Sequence, residues 1–234
     1  MKLSIIIPVY NEAKTLKEIL KRINNVNLGR IQKEIIIVDD ASTDGSRDII
    51  KRLPGKYSKI FQKKNQGKGA ALKKGIEKAT GDFIIFQDAD LEYDPRDYAK
   101  LLRPILSNEA SITFGSRFFS TRLVLFGKNR TIHPTHWLGN KFLTFVFNLL
   151  YGTKLNDVEP CYKMFKSSIL KSIYVKSNRF EYDIELMCKL VKKRHKILQL
   201  PIKYNPRKFE EGKKISWKDG VDAFLIMLKY RFSD

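Results

Sequence analysis

Cysteine is scarce in this chain: Cys161 and Cys188 are the two present in 234 residues. They stand far apart and in no metal-type pairing. A disulfide framework and a cysteine–zinc site are therefore excluded, and reduced thiols are the simplest expectation. Histidine is almost as rare, and His133, His136 and His195 are scattered enough to read as structural. Long apolar runs are missing too. The longest stretch without a charge, Phe142 to Thr153, is twelve residues, whereas a bilayer-spanning helix needs about 20. No segment is expected to cross a membrane. Met1-Lys2-Leu3-Ser4 enters a strand pattern at once with no cleavage site, so no signal peptide is expected and the cytoplasm is the expected compartment. There is no internal repeat, low-complexity tract or clear linker. Acidic residues are in deficit, 25 against 45 Lys and Arg, for a net charge of +20.

That positive surplus is uneven. Residues 1–117 hold 22 Lys and Arg against 15 Asp and Glu, while residues 118–234 hold 23 against 10. The second half thus carries most of the attraction for an anionic partner, whether nucleic acid, membrane surface or phosphorylated substrate. Hydrophobic residues at 43% and aromatics at 12% suffice for a core. The length suits one large α/β domain.

Short, continuously apolar runs alternate with helical patterns. Leu3 to Val9, Ile35 to Val38, Lys59 to Phe61, Phe83 to Phe86, Ser111 to Phe114 and Ile197 to Tyr204 read as strands. Leu16, Ile19, Leu20 and Ile23 form a helical stripe, with Asn11 as its expected N-cap. Further helices are expected from about Ser46 to Leu53, after Gly69, over Asp97 to Leu106, over Trp137 to Tyr151, from Phe180 and over Trp217 to Arg231. For the last, Ser216 and Asp219 have capping-box spacing. Such alternation predicts a mostly parallel sheet covered by helices on both faces. Ligands of such sheets bind beyond the carboxyl ends of the strands.

Those ends carry polar and acidic clusters: Pro8 to Glu12, Asp39-Asp40, and Asp88 to Glu92. An extended segment would point Asp88, Asp90 and Glu92 to one side. Carboxylates so gathered repel one another unless a cation lies between them, and Mg²⁺ or Mn²⁺ with oxygen ligands is the natural neutraliser. A solvated acidic loop, with Asp94 or Asp97 capping the next helix, is the plainer alternative. Three such clusters on one edge favour a nucleotide and metal site over coincidence. Gly67-Lys68-Gly69 fits neither common phosphate-loop spacing and is weak alone, though Lys68 could lie near the same edge. Arg117 follows a strand end. Beyond it, Phe118, Phe119, Leu123 to Phe126 and the largely apolar helix to Tyr151 are interleaved with Arg122, Lys128 and Arg130. They read either as core or as an interfacial element dipping into one leaflet.

Pro8-Val9-Tyr10-Asn11-Glu12, Val38-Asp39-Asp40-Ala41-Ser42-Thr43-Asp44-Gly45 and Asp88-Ala89-Asp90 resemble, in order and spacing, the three nucleotide-sugar motifs of family 2 glycosyltransferases. The nearest likeness is to dolichol-phosphate mannose synthases and polyprenyl-phosphate glucosyltransferases, over nearly the whole chain. The resemblance implies a GT-A, Rossmann-like fold and one glycosyltransferase domain. Residues 1–117 would form its nucleotide-sugar half and residues 118–234 its acceptor half. It implies that Pro8, Tyr10, Glu12, Val38 and Asp40 hold the base and ribose. Asp88, Ala89 and Asp90 would meet the donor, with Asp88, Asp90 and Glu92 holding Mg²⁺ or Mn²⁺. Arg117 matches the family's Arg after Gly-Ser, Arg207 and Lys213 a pair that contacts the diphosphate, and Asn156-Asp157 the acceptor-side segment.

The implied reaction is inverting transfer from a GDP-mannose or UDP-glucose type of donor. A lipid phosphate acceptor is already anionic and needs cations, for which Arg117 and Arg130 are candidates. A hydroxyl acceptor needs a base, for which Asp157 is the candidate. The basic second half tilts the expectation towards a dolichyl or undecaprenyl phosphate, at the cytoplasmic face of an anionic membrane to which the chain is peripheral. The alternatives are a soluble transferase acting on a glycan hydroxyl and, more remotely, a basic nucleic-acid-binding protein. No nucleic-acid partner is expected, because carboxylates gather at the ligand edge. Room is left for a homo-oligomer.

Overall fold

The computed structural model describes residues 1–119, 134–207 and 217–233. Arg130, Lys213, His133, the stretch from Arg122 to Lys128 and the expected cap at Ser216 lie outside them.

Among the described residues there are seven strands, six at the expected runs and one more: β1 (Lys2–Val9), β2 (Gln32–Asp39), β3 (Ser58–Phe61), β4 (Phe83–Phe86), β5 (Ile112–Ser116), β6 (Lys163–Lys166) and β7 (Ile197–Pro201). They form one sheet in the order β3-β2-β1-β4-β6-β5-β7. β1 pairs in parallel with β2 and β4, β2 with β3, and β5 with β7. β6 runs antiparallel to both its neighbours, β4 and β5. The mostly parallel sheet is as expected; the reversed strand is not. Lys163-Met164-Phe165-Lys166 is too short and too basic at its ends to read as a strand from its pattern alone. Pairing on both sides is what makes it one.

Reversal of β6 has a consequence for the site. Every other strand delivers its carboxyl end to one edge of the sheet. β6 begins at that edge, so the turn Asn156 to Tyr162 before it reaches the same rim as Asp88.

The helices are α1 (Leu16–Asn25), α2 (Ser46–Arg52), α3 (Lys68–Lys78), α4 (Tyr98–Leu106), α5 (Pro134–Tyr151), α6 (Ser167–Lys171), α7 (Glu181–Lys192) and α8 (Trp217–Phe232). The stripe Leu16, Ile19, Leu20 and Ile23 is buried on α1 as its spacing requires. Asn11 is not its cap; Thr15 holds that position. Asn11 instead adopts φ 53° and its side-chain oxygen accepts from the Thr43 N–H at 2.8 Å, tying together the turns after β1 and β2. Asp94 caps the short 3₁₀ turn Pro95–Asp97. The central strands are buried on both faces, with Ile5, Ile6, Ile7, Ile36, Ile37, Ile84 and Ile85 inaccessible. Each such side chain contributes about 1.5–3 kcal/mol, which makes this sheet a stiff support for the turns at its edge.

Candidate active site

Gln87 sets the level of the rim. It is fully buried, and its side-chain oxygen accepts from the phenols of Tyr98 at 2.7 Å and Tyr162 at 2.5 Å. Its amide donates to the Asp88 carbonyl at 2.9 Å. Tyr93 stacks on Tyr162 with centroids 4.8 Å apart and accepts the Cys161 N–H at 3.0 Å. A buried aromatic floor therefore fixes where β4 ends and the acidic turn begins.

That turn is not extended. Ala89 and Asp90 lie in a turn, and Leu91 takes φ 67°. The expected strand register is corrected here: Asp88 and Asp90 come together by chain reversal, with the Asp90 side chain accepting the Glu92 N–H at 3.0 Å. Ala89 is buried beneath them.

Each carboxylate meets a cation from another element. Lys68, at the start of α3, lies 2.9 Å from one Asp88 oxygen and 3.1 Å from the other. Arg207, beyond β7, lies 3.2 Å from Asp90 and 3.1 Å from Glu12. Burial would raise the Asp88 carboxyl, but Lys68 and the Cys161 thiol outweigh it and hold it below the usual range. Asp90 goes the other way. Burial, then Asp88 and Glu92, push it up to about 7, more than Arg207 offsets. Such a pair favours an additional cation. Among the described residues no three His, Cys, Asp or Glu side chains are grouped to hold a metal. The fit to a divalent ion accordingly rests on Asp88 and Asp90. The Glu92 carboxylate accepts from the Tyr204 phenol at 3.0 Å and the Arg207 N–H at 2.9 Å.

Behind this pair runs a line of charges whose members gave little sign in sequence. Asp183, in the first turn of α7, lies 3.9 Å from Lys68 and 2.6 Å from Lys163. Lys163 is completely buried at the start of β6. Asp183 reads in sequence as a dipole-stabilising residue; only the fold sets it against two lysines.

At the neighbouring strand ends, Pro8 and Val38 pair across β1 and β2, with Val38 in the core. Tyr10 is exposed, and Glu12 is buried with its N–H bound to the Ser46 hydroxyl at 2.9 Å. The Asp40 side chain accepts from Gln62, Gln66 N–H and Gly67 N–H, each at 2.8 Å, so it organises the turn before α3. Burial still raises it.

On the other flank, Arg117 closes on Asp157 through two contacts of 2.8 Å, and Asp157 also accepts the N–H groups of Arg117 and Glu159. Asp157 is fully buried; burial alone would raise it, but Arg117 overrides that and lowers it. Arg117 and Asp157 satisfy each other. Glu159, two residues on and partly exposed, is pushed up to about 7 by burial against the pull of Arg117.

The chain has parallels in sequence and in fold. A family model for glycosyl transferase family 2 matches residues 4–174. The chain is 30% identical over 247 aligned residues to the UDP-N-acetylglucosamine–dolichyl-phosphate N-acetylglucosaminyltransferase of Methanococcus voltae, taking in 96% of this chain and 95% of that protein. It is 38% identical over 120 residues to the dolichol-phosphate mannosyltransferase of Pyrococcus furiosus, which covers 50% of this chain and 34% of that longer relative. Among solved structures, glucosyl-3-phosphoglycerate synthase from Mycobacterium tuberculosis with Mn²⁺, UDP and glucosyl-3-phosphoglycerate matches with a TM-score of 0.74 at 16% identity, covering 100% of this chain and 81% of that one. The same synthase has been solved with Mg²⁺ and UDP. At that identity the likeness establishes the fold, which is GT-A. With its strand order, its acidic rim and its match along most of the sequence, the chain belongs to glycosyltransferase family 2 and is a glycosyltransferase.

Proposed function

We propose that the chain transfers a sugar, with inversion, from a nucleoside-diphosphate sugar of the GDP-mannose or UDP-glucose type to a polyprenyl phosphate, working peripherally at the cytoplasmic face of a membrane. The observation that carries this is the convergence of Asp88 and Asp90, each already within 3.2 Å of a cation from a distant element. A divalent Mg²⁺ or Mn²⁺ at these carboxylates would supply charge neutralisation for the departing diphosphate. The chain's own groups do the rest. Asp88 and Asp90 would hold the ion. Lys68 and Arg207 stand where they attract diphosphate oxygens and stabilise charge as the glycosidic bond breaks. Pro8, Tyr10, Glu12, Val38 and Asp40 frame the base and ribose at the ends of β1 and β2. Lys213 and Arg130 keep their proposed contacts with diphosphate and acceptor on sequence grounds. Residues 118–234 supply the acceptor side.

A lipid phosphate acceptor agrees with two features. The relative aligned over nearly the whole length is named for action on dolichyl phosphate. Leu138, Phe142, Phe145 and Leu149 form an exposed apolar stripe on α5, at least half accessible throughout, and Val221, Leu225 and Phe232 extend exposed apolar surface on α8. α5 and α8 are joined by the Tyr151 hydroxyl donating to the Met227 carbonyl at 2.9 Å. Such a stripe suits the interfacial region of a bilayer. Among the described residues no helix is long and apolar enough to cross one.

The test incubates radiolabelled UDP- and GDP-sugars with polyprenyl phosphate in vesicles. Label extracted into organic solvent, dependent on Mg²⁺ or Mn²⁺ and reduced at least about a hundredfold in Asp88→Asn and Asp90→Asn, is expected. Unchanged turnover in both variants would overturn the site. Label that stays in water-soluble glycan would favour a hydroxyl acceptor instead.

A further inference from the structure

Glu92 follows Asp88 and Asp90 at the spacing of a third metal ligand, yet its side-chain hydrogen bonds go to the strip that carries Arg207. One oxygen accepts from the Tyr204 phenol at 3.0 Å; the other accepts the Arg207 N–H at 2.9 Å and lies 3.8 Å from its Nε. Its carbonyl accepts the Asn205 N–H at 2.9 Å. Tyr93 and Tyr204 form an isolated antiparallel bridge, with ring centroids 5.3 Å apart. The Lys203 N–H donates to Asp97 at 3.0 Å. Residues 203–207 are thus laid along residues 92–97 like one more short strand.

This strip decides where Arg207 goes. Its guanidinium reaches Glu12 at 3.1 and 3.3 Å and Asp90 at 3.2 Å. It therefore stands between the turn after β1 and the acidic turn after β4, on the carboxylate that a divalent ion would also use. A guanidinium and a divalent cation cannot both neutralise Asp90 at full strength, because each weakens the field that attracts the other. An arginine fixed at its backbone but freed at its tip by the incoming ion would remain within reach of the ion's diphosphate partner.

We propose that Glu92 is a positioning residue rather than a metal ligand: it splints Tyr204 to Arg207 along the acidic turn, so that Arg207 covers Asp90 in the empty site and passes to the donor diphosphate when a divalent ion takes its place. This rests on the reading of the rim as a donor site. It sets the order of events, because Arg207 becomes available to the diphosphate once the ion has displaced it from Asp90.

The test measures Mn²⁺ binding by electron paramagnetic resonance, and UDP and GDP binding by calorimetry at saturating Mn²⁺, on the full chain. Wild type, Glu92→Ala, Arg207→Ala, the double variant and Tyr204→Phe are compared. Glu92→Ala is expected to keep Mn²⁺ affinity within about threefold, and Arg207→Ala to match or exceed wild type, because Asp90 has lost a competitor. Nucleotide affinity should fall about tenfold to a hundredfold in Arg207→Ala, the range for a charge-assisted hydrogen bond. It should fall in the same direction in Glu92→Ala, and no further in the double variant than in Arg207→Ala alone. Tyr204→Phe removes one hydrogen bond without changing charge and should give a smaller loss of the same kind. A tenfold or greater loss of Mn²⁺ affinity in Glu92→Ala, with Arg207→Ala unaffected, makes Glu92 a ligand and overturns the proposal. Additive nucleotide losses in the double variant overturn it as well. A wild-type chain that binds Mn²⁺ but neither nucleotide removes the donor-site reading itself, a pattern distinct from both.

Discussion

Arg117 and Asp157 neutralise each other inside the protein, and that pairing changes what each can do. A buried carboxylate that accepts four hydrogen bonds has no lone pair ready for a substrate proton. Asp157→Ala should destabilise the fold by about 3–5 kcal/mol, because it strands a buried guanidinium. Replacing both partners, as in Arg117→Met with Asp157→Leu, should recover most of that loss while leaving sugar transfer impaired. Urea unfolding alongside a transfer assay checks both; full stability in the single variant would contradict the buried-pair reading. The sequence carried the residues of this pair but not their mutual engagement. Forty positions separate them, and no local pattern reports which distant charge a buried carboxylate will meet. The same holds for Lys68, a weak signal inside Gly67-Lys68-Gly69, and for Lys163. Asp88 and Asp90 were legible because their chemistry is written in adjacent positions at the end of an apolar run.

Two glycines and one glutamate fix how α3 meets α7. A Cβ on Gly69 would lie 2.6 Å from the Tyr182 Cβ, and one on Gly67 would lie 2.6 Å from the Asn178 carbonyl, where φ is also +98°. These glycines let α3 approach the start of α7 closely; they do not cradle phosphate in the usual loop spacing. Gly69→Ala should cost about 1–3 kcal/mol through overpacking, read as a lower urea midpoint, and should disturb Lys68 as well. From the other side, buried Glu185 accepts from the Lys176 and Ser177 N–H groups, the Ser177 hydroxyl and Lys189, at 2.6–2.8 Å. Burial alone would raise its pKa, but Lys189 and those hydrogen bonds bring it down to about 2. The sign follows. The unfolded carboxyl takes its proton first, so the stabilisation is complete above the ordinary glutamate value and is lost as pH falls through about 2. Glu185→Gln should therefore be less stable than wild type at pH 7, with the gap narrowing between about pH 4.5 and 2. A gap that does not change over that range would refute the assignment. Helices were legible here because their burial is periodic, and the central parallel strands because theirs is a short continuous apolar run. β6 was not, because four residues between two neighbours owe their conformation to tertiary pairing.

Across the whole molecule, charge and apolar surface divide the work. The acidic rim sits on a sheet to which both halves of the chain contribute strands, while the apolar stripe of α5 and its neighbour α8 faces outward. The combined change Phe142→Ser, Phe145→Ser and Leu149→Ser should leave folding stability within about 0.5 kcal/mol per site, since these side chains are already exposed. It should reduce co-sedimentation with anionic vesicles severalfold. Wild-type binding to those vesicles should weaken as salt rises. Equal binding by wild type and the triple variant would detach the stripe from any membrane role. The apolar character of α5 was legible in sequence; that Leu138, Phe142, Phe145 and Leu149 face outward was not, because the run has no polar face to set its orientation.

The contact between Glu12 and Arg207 spans 195 positions. A contact of that reach closes late in folding, because the sheet between its partners must assemble first. Glu12, Asp90 and Glu92 share one guanidinium that reaches them only once the strip beyond β7 is in place. A chain caught before that point would have a finished core and an open rim.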